Sequence, residues 1–250
     1  MDIRKAFTFM FEDEQWIRKL LVTSIVTMFS SLLFIPYLLI WGYQVELMQN
    51  VIRGEARPLP VWNQIGDKAL KGLKFFVIVL GYFLPLLVAL ICVVVIQAAS
   101  ALKTADFNSL TAQDLRALVS ASLPFICVGP LYLIAVFALW PASLILYAAN
   151  NRVSDAFRVG QVLGFVRRNA GNYLRMLLSV LVAGLIPVAL IVFPFLILGL
   201  MVPALRSNSL LNAAVSAAPT TWTLMVAGHL YGQFYRAAQK PPPAPAAPAM

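Results

Sequence analysis

Five stretches of the chain, 20–43, 73–100, 118–149, 173–202 and 210–235, are almost wholly apolar. A helix needs about 20 such residues to cross a hydrocarbon layer of about 30 Å, and lipid offers no partner to an unsatisfied backbone amide. Long apolar runs separated by polar loops therefore predict membrane-spanning helices. The expected fold is all-α, a polytopic transmembrane helical bundle. Composition agrees: charged residues make up 12% of the sequence, where soluble domains carry about a quarter, and the mean hydropathy is +0.83.

The polar residues gather in two basic intervals, 42–74 and 150–172. In the first, Glu46, Gln49, Asn50 and Arg53 fall on one helical arc and Val45, Met48, Val51 and Ile52 on the other. That pattern predicts an amphipathic helix leaving segment one along the membrane surface. Gly54 is placed to end it, and Arg57-Pro58-Leu59-Pro60 predicts an extended turn, because residues before proline avoid the helical region. Residues 62–74 then predict a second short amphipathic helix anchored by Trp62. In the second interval, Phe157, Val162, Phe165 and Val166 form a helical apolar stripe beside Arg152, Arg158, Arg167 and Arg168.

Around these lie three regions. Residues 1–15 mix Ile3, Phe7, Phe9, Met10 and Phe11 with charged neighbours, as an interfacial segment does. Residues 16–240 are the expected transmembrane domain, and 241–250, PPPAPAAPAM, has no means of building a core and is expected to be disordered or polyproline II. The order of apolar segment, basic interval and apolar segment recurs, with Pro36 and Pro85 echoed by Pro141 and Pro187. An internal repeat and the ordinary alternation of a multipass chain both explain it.

The formal net charge is +9. Lys and Arg collect in cytoplasmic loops and meet anionic lipid there, so membrane topology accounts for the excess, and no nucleic-acid-binding pattern accompanies it. Counted over 44–74 and 150–175, the two intervals with the C-terminal stretch hold Arg53, Arg57, Lys68, Lys71, Lys74, Arg152, Arg158, Arg167, Arg168, Arg175, Arg236 and Lys240; the opposite connections hold Lys103, Arg116 and Arg206. Both intervals and the C-terminus are expected in the cytoplasm. Arg4, Lys5, Arg18 and Lys19 ask the same of the N-terminus, which a single crossing by 20–43 forbids and a re-entrant hairpin broken near Pro36 allows. The cations favour the hairpin, the repeat favours a crossing, and both readings stand on sequence alone.

Catalytic signatures are missing: there is no phosphate-cradling glycine loop, HExxH or GxSxG. Cys92 and Cys127 sit in apolar runs without CxxC spacing or a nearby His. His229, the one histidine, has no second ligand at helical spacing. An ionisable group in a membrane segment is a functional candidate, while a histidine bonded to a neighbouring helix is the commoner case. Prolines 36, 85, 130, 141, 187 and 194 predict kinked or broken helices, either as a transporter path or as shape for helix packing. No enzyme, metal or cofactor is expected.

The opening FTFMFEDEQWIRKLL, the Gly42-Tyr43 pair, the 53–74 run RGEARPLPVWNQIGDKALKGLK and the closing HLYGQFYR together resemble the uncharacterised prokaryotic membrane family known as domain of unknown function 4013. The likeness extends over about 7–236. Gly42-Tyr43, Gly54-Glu55, Leu59-Pro60 with Trp62, Asp67 and Gly72-Leu73-Lys74 match its pattern, while Asn63-Gln64 stands where acidic residues usually follow the Trp. The resemblance implies a multipass protein of the prokaryotic cytoplasmic (inner) membrane with no activity attached. The functional expectation is a non-catalytic accessory or scaffold subunit, whose basic helices contact anionic lipid head groups, another membrane protein or a second copy. The alternative is a transporter or lipid-handling protein for an apolar or amphipathic substrate. Candidate contact residues are Gly42, Tyr43, Arg53, Gly54, Glu55, Leu59, Pro60, Trp62, Lys74, Arg167, Arg168 and His229.

Overall fold

The computed structural model describes residues 1–30, 33–103, 112–202, 205 and 207–239. Of the loop expected at 101–116, with Lys103, Asp106 and Asp114, residues 101–103 and 112–116 are helical and Arg116 is exposed, while 104–111 lie outside the described residues, as do the Cys127 side chain, Arg206, Lys240 and the 241–250 tail. Among the described residues every regular element is helical. A short α1 (Ile3–Thr8) and a 3₁₀ turn (Phe9–Glu12) precede α2 (Trp16–Ser30), α3 (Phe34–Arg53), α4 (Ile65–Lys103) and α5 (Ala112–Asn150). Then come α6 (Val153–Ala156), α7 (Val159–Arg168), α8 (Ala170–Pro187), a π turn (Val188–Val192), α9 (Phe193–Met201) and α10 (Ser209–Gln239). Among the described residues four helical spans are long and apolar enough to cross a membrane: Ile65–Val95, Val128–Asn150, Ala170–Met201 and Ser209–Gln239.

Segment one is two helices. α2 ends at Ser30, and Leu33 is extended (φ −133°, ψ 140°) before α3 starts. Pro36 occupies the first turn of α3, where its missing N–H leaves no intrahelical bond unmade. α2 spans 15 residues, about 22 Å, short of a hydrocarbon core of about 30 Å. The chain turns back, and Lys19 near the start of α2 donates to the Leu59 carbonyl beyond the end of α3, at 2.9 Å. Ile17, Leu21, Ile25 and Phe29 face outward along α2, and Leu33, Phe34 and Ile35 are exposed at the tip. Thr23, Thr27 and Ser30 face inward.

The residues expected to run along the surface are instead the centre of the molecule. α3 is one helix to Arg53, and Val45, Leu47 and Met48 in its second half are fully buried. Within its polar arc Glu46 meets Lys68 of the next long helix and Asn50 the Pro58 carbonyl, while Arg53 stays exposed and pairs with Glu55 in its own turn. The separate helix expected at 62–74 is likewise absent: nothing interrupts helical geometry after Ile65, so these residues form the first turns of α4, and Trp62 sits in the loop before it.

Glycines bring the backbones together. A β-carbon on Gly42 would lie 1.8 Å from the Lys68 carbonyl oxygen, and one on Gly72 would lie 1.7 Å from that of Leu38. The two contacts fit one antiparallel register, since 38 and 42 on α3 face 72 and 68 on α4. α10 meets the opposite side of α3 in the same way, with Gly228 against Leu47 and Gln44, and Gly232 against Val51 and Met48. Small residues permit this close approach, which gives van der Waals contact where lipid removes any hydrophobic drive between helices. α5 completes the core with Ala142, Leu144, Ile145 and Tyr147.

Candidate functional site

One end of the bundle carries nearly all the described charge. There α3 closes in a left-handed cap at Gly54 (φ +82°), with the Gly54 N–H on the Val51 carbonyl at 3.0 Å and the Glu55 N–H on that of Asn50 at 3.1 Å. This double bond pattern satisfies the last carbonyls of the helix, and glycine adopts the conformation without a Cβ penalty. The chain then folds back over the end of α3: Asn50 donates to the Pro58 carbonyl at 2.9 Å, and Pro58, Leu59 and Pro60 are buried.

Ion pairs fix this loop to its neighbours. Lys19 contacts Asp13 at 2.7 Å, Arg57 contacts Glu14 at 2.7 Å, and Arg53 contacts Glu55 at 2.9 Å. Deeper in, Lys68, with its side chain 1% exposed, meets Glu46 at 3.0 Å and the Asn63 carbonyl at 3.1 Å, while Lys71 lies 3.6 Å from the same carboxylate. Burial raises the Asp13 pKa, but the Lys19 hydrogen bond, the Gln15 backbone N–H and the charges of Lys19 and Arg57 outweigh it and hold the carboxyl below its ordinary value. Trp62 donates to Thr23 at 3.0 Å and stacks on Tyr43 with ring centroids 5.2 Å apart.

The terminal elements arrive at the same end. Asp2 caps α1 by accepting from the Lys5 N–H at 3.0 Å, and its own N–H donates to Gln233 of α10 at 2.8 Å. His229 is buried, stacked on Phe9 at 4.1 Å and 3.2 Å from the Gln233 amide. A cavity of about 440 Å³ opens here, lined in part by Asp2, Lys5, Gly54, Glu55, His229, Gln233 and Arg236. From the second interval, Phe165 of α7 and Tyr173 of α8 pack on Phe234 of α10, at 5.3 and 5.4 Å.

The candidate residues thus separate into groups. Gly42 packs α3 on α4; Tyr43, Leu59 and Trp62 join α2, α3 and the 54–64 loop, in which Pro60 is buried; and Arg53 pairs within its own turn. Gly54, Glu55 and His229, far apart in sequence, meet at the cavity. Lys74 is partly exposed on α4, and Arg167 and Arg168 are exposed at the end of α7, away from that cavity. Sequence reasoning missed Glu46, Lys68, Lys19 and Asp13 as one internal framework. A signal existed in Lys68, a cation close to the start of an apolar run, but its partner lies 22 residues away on another helix.

Among the described residues, four helical spans of membrane length and a glycine-packed core with a charged end make an all-helical fold of the kind that membrane proteins have. The chain belongs to the family described as Protein of unknown function (DUF4013), whose pattern matches residues 25–198. The motifs at 7–21 and 229–236 lie outside that match. No curated protein and no solved structure matches the chain.

Proposed function

We propose that this protein is a non-catalytic accessory subunit of the prokaryotic cytoplasmic membrane whose second basic interval holds anionic lipid head groups at the cytoplasmic face. The observation that carries the reading is a difference in charge pairing. Around the first interval Lys19, Arg53, Arg57, Lys68 and Lys71 each face a carboxylate, and of that interval's own cations Lys74 alone has none within ion-pair distance among the described residues. In the second, Arg158 pairs with Asp155, but Arg152, Arg167, Arg168 and Arg175 have no carboxylate within ion-pair distance among the described residues.

These arginines flank α7, whose Val162 and Phe165 dock inward while Arg167 and Arg168 stay exposed in its last turn. A cation near an anionic membrane surface gains about 1 kcal/mol from it. Four such groups make a lipid preference measurable. With the hairpin reading of α2 and α3, the N-terminus, both basic intervals and the end of α10 share the cytoplasmic side, as the distribution of Lys and Arg asks.

The test is native mass spectrometry of the full chain released from nanodiscs of mixed phosphatidylcholine and phosphatidylglycerol. Enrichment of phosphatidylglycerol on the protein, reduced in the Arg152→Gln/Arg167→Gln/Arg168→Gln variant, supports the reading. Equal carry-over of both lipids by the wild-type chain contradicts it.

A further inference from the structure

Between α1 and α8, away from the ion pairs of the first interval, runs a groove of about 440 Å³. Ile3 and Phe7 form one wall, Leu174, Leu178 and Val182 the other, and Gly171 and Arg175 lie toward its polar end. The three aliphatic residues follow one another at four-residue spacing along one face of α8, a strip about 12 Å long. Each is about half exposed.

Arg175 enters this apolar setting more than one turn inside a membrane-length helix. An arginine there extends its guanidinium toward the interface and requires an anionic or carbonyl partner. Among the described residues no carboxylate lies within ion-pair distance of it, and the same holds for Arg4, exposed beside Ile3. Gly171 has no packing duty: a β-carbon there would meet nothing within 4 Å. It leaves the mouth of the groove open.

A hydrocarbon-lined strip with an unpaired guanidinium at its polar end is complementary to an amphiphile with an anionic head. Guanidinium groups pair with phosphate through two parallel hydrogen bonds. We propose that one anionic phospholipid occupies this groove, its phosphate on Arg175 and one acyl chain along Leu174, Leu178 and Val182 against Ile3 and Phe7. The inference rests on the proposed lipid-facing role of the basic end, and narrows it to one molecule at one place.

The experiment releases the full-length chain from nanodiscs of phosphatidylcholine containing a minor share of phosphatidylglycerol and counts lipids retained under increasing collisional activation. The wild-type chain is expected to keep one phosphatidylglycerol after the others leave. Arg175→Gln lowers that retained fraction about tenfold, the scale of one charge-assisted hydrogen bond. Gly171→Leu fills the mouth with every cation in place and lowers it comparably, which keeps the test sound if Arg175→Gln disturbs folding. Arg167→Gln/Arg168→Gln reduces general enrichment and leaves the retained lipid bound.

A retained lipid that survives both groove variants overturns the proposal. So does general phosphatidylglycerol enrichment without any retained molecule, which leaves the broader lipid-facing reading standing. Absence of enrichment in the wild-type chain overturns both. A dimer lost on Gly171→Leu would assign the groove to a second copy and also overturn it.

Discussion

Gly42 of α3 and Lys68 of α4 meet backbone to backbone, with the α-carbon of one turned to the carbonyl of the other so closely that a β-carbon would stand 1.8 Å from oxygen. Gly72 and Leu38 repeat the contact one turn along. Because the obstacle is main chain, no rotamer change relieves it. Gly42→Ala and Gly72→Ala are expected to destabilise the protein by about 1–3 kcal/mol. Gly164→Ala in α7, where the new β-carbon meets only the tip of Arg168 at 3.9 Å, is expected to stabilise by about 0.5–1 kcal/mol. Thermal unfolding of the three variants in one detergent measures the contrast.

The Lys68–Glu46 pair gives an asymmetric expectation. Removing Glu46 leaves a buried ammonium with the Asn63 carbonyl, whereas removing Lys68 leaves a carboxylate that still faces Lys71. Glu46→Leu is expected to cost about 3–5 kcal/mol, the range for breaking a buried pair, and Lys68→Met less. The double variant recovers most of the loss, because neither charge is then stranded. Denaturant titration of the two singles and the double measures the coupling.

Acid sensitivity follows from Asp13. Its folded-state pKa lies below the ordinary 3.8, chiefly because the Lys19 and Gln15 hydrogen bonds prevail over burial. A carboxyl depressed on folding stabilises the protein above the unfolded-state pKa, and that contribution is lost as pH falls through the folded-state value. The unfolding temperature is expected to be flat with respect to this group near neutrality and to fall below about pH 4. Asp13→Asn lowers stability at neutral pH and removes part of the acid-dependent decline; an unchanged decline would clear Asp13 of responsibility.

Trp62 ties the 54–64 loop to α2 and α3 through the Thr23 hydrogen bond and the Tyr43 stack, and Pro60 is buried two residues before it. His229 is held by Phe9 and Gln233 at the rim of a cavity. Pro60→Ala/Trp62→Ala is therefore expected to loosen the loop and weaken any association made by this end more than His229→Ala does. Protease accessibility at Arg57 together with pull-down of co-purifying proteins ranks the two.

The α-helical class and the membrane-length runs were legible because lipid imposes length and apolarity on each segment separately. Gly54 was legible for a similar reason, since a glycine after the last periodic residue is a local stop. What sequence left hidden was tertiary. Glu46, Asn50 and Arg53 look like a solvated helix face until Lys68, the Pro58 carbonyl and Glu55 are seen to answer them. Gly42 and Gly72 belonged to the recognised motif, yet their role is a register between two helices, which no spacing within either reveals. Similarly, Gly54, Glu55 and His229 stood as unrelated candidates, and only the meeting of α1, the loop and α10 makes them neighbours.

The reversal of direction between α2 and α3 governs everything at the charged end, because it returns the N-terminal residues to the side of the 54–64 loop. Single cysteines at Glu12, Ala56, Arg152 and Gln239, introduced in a Cys92→Ser/Cys127→Ser background, report this through labelling by a membrane-impermeant maleimide in intact and opened cells. All four are expected to label only after the cytoplasmic side is opened. Labelling of Glu12→Cys from outside while Ala56→Cys stays protected would make 20–43 a full crossing and contradict the hairpin.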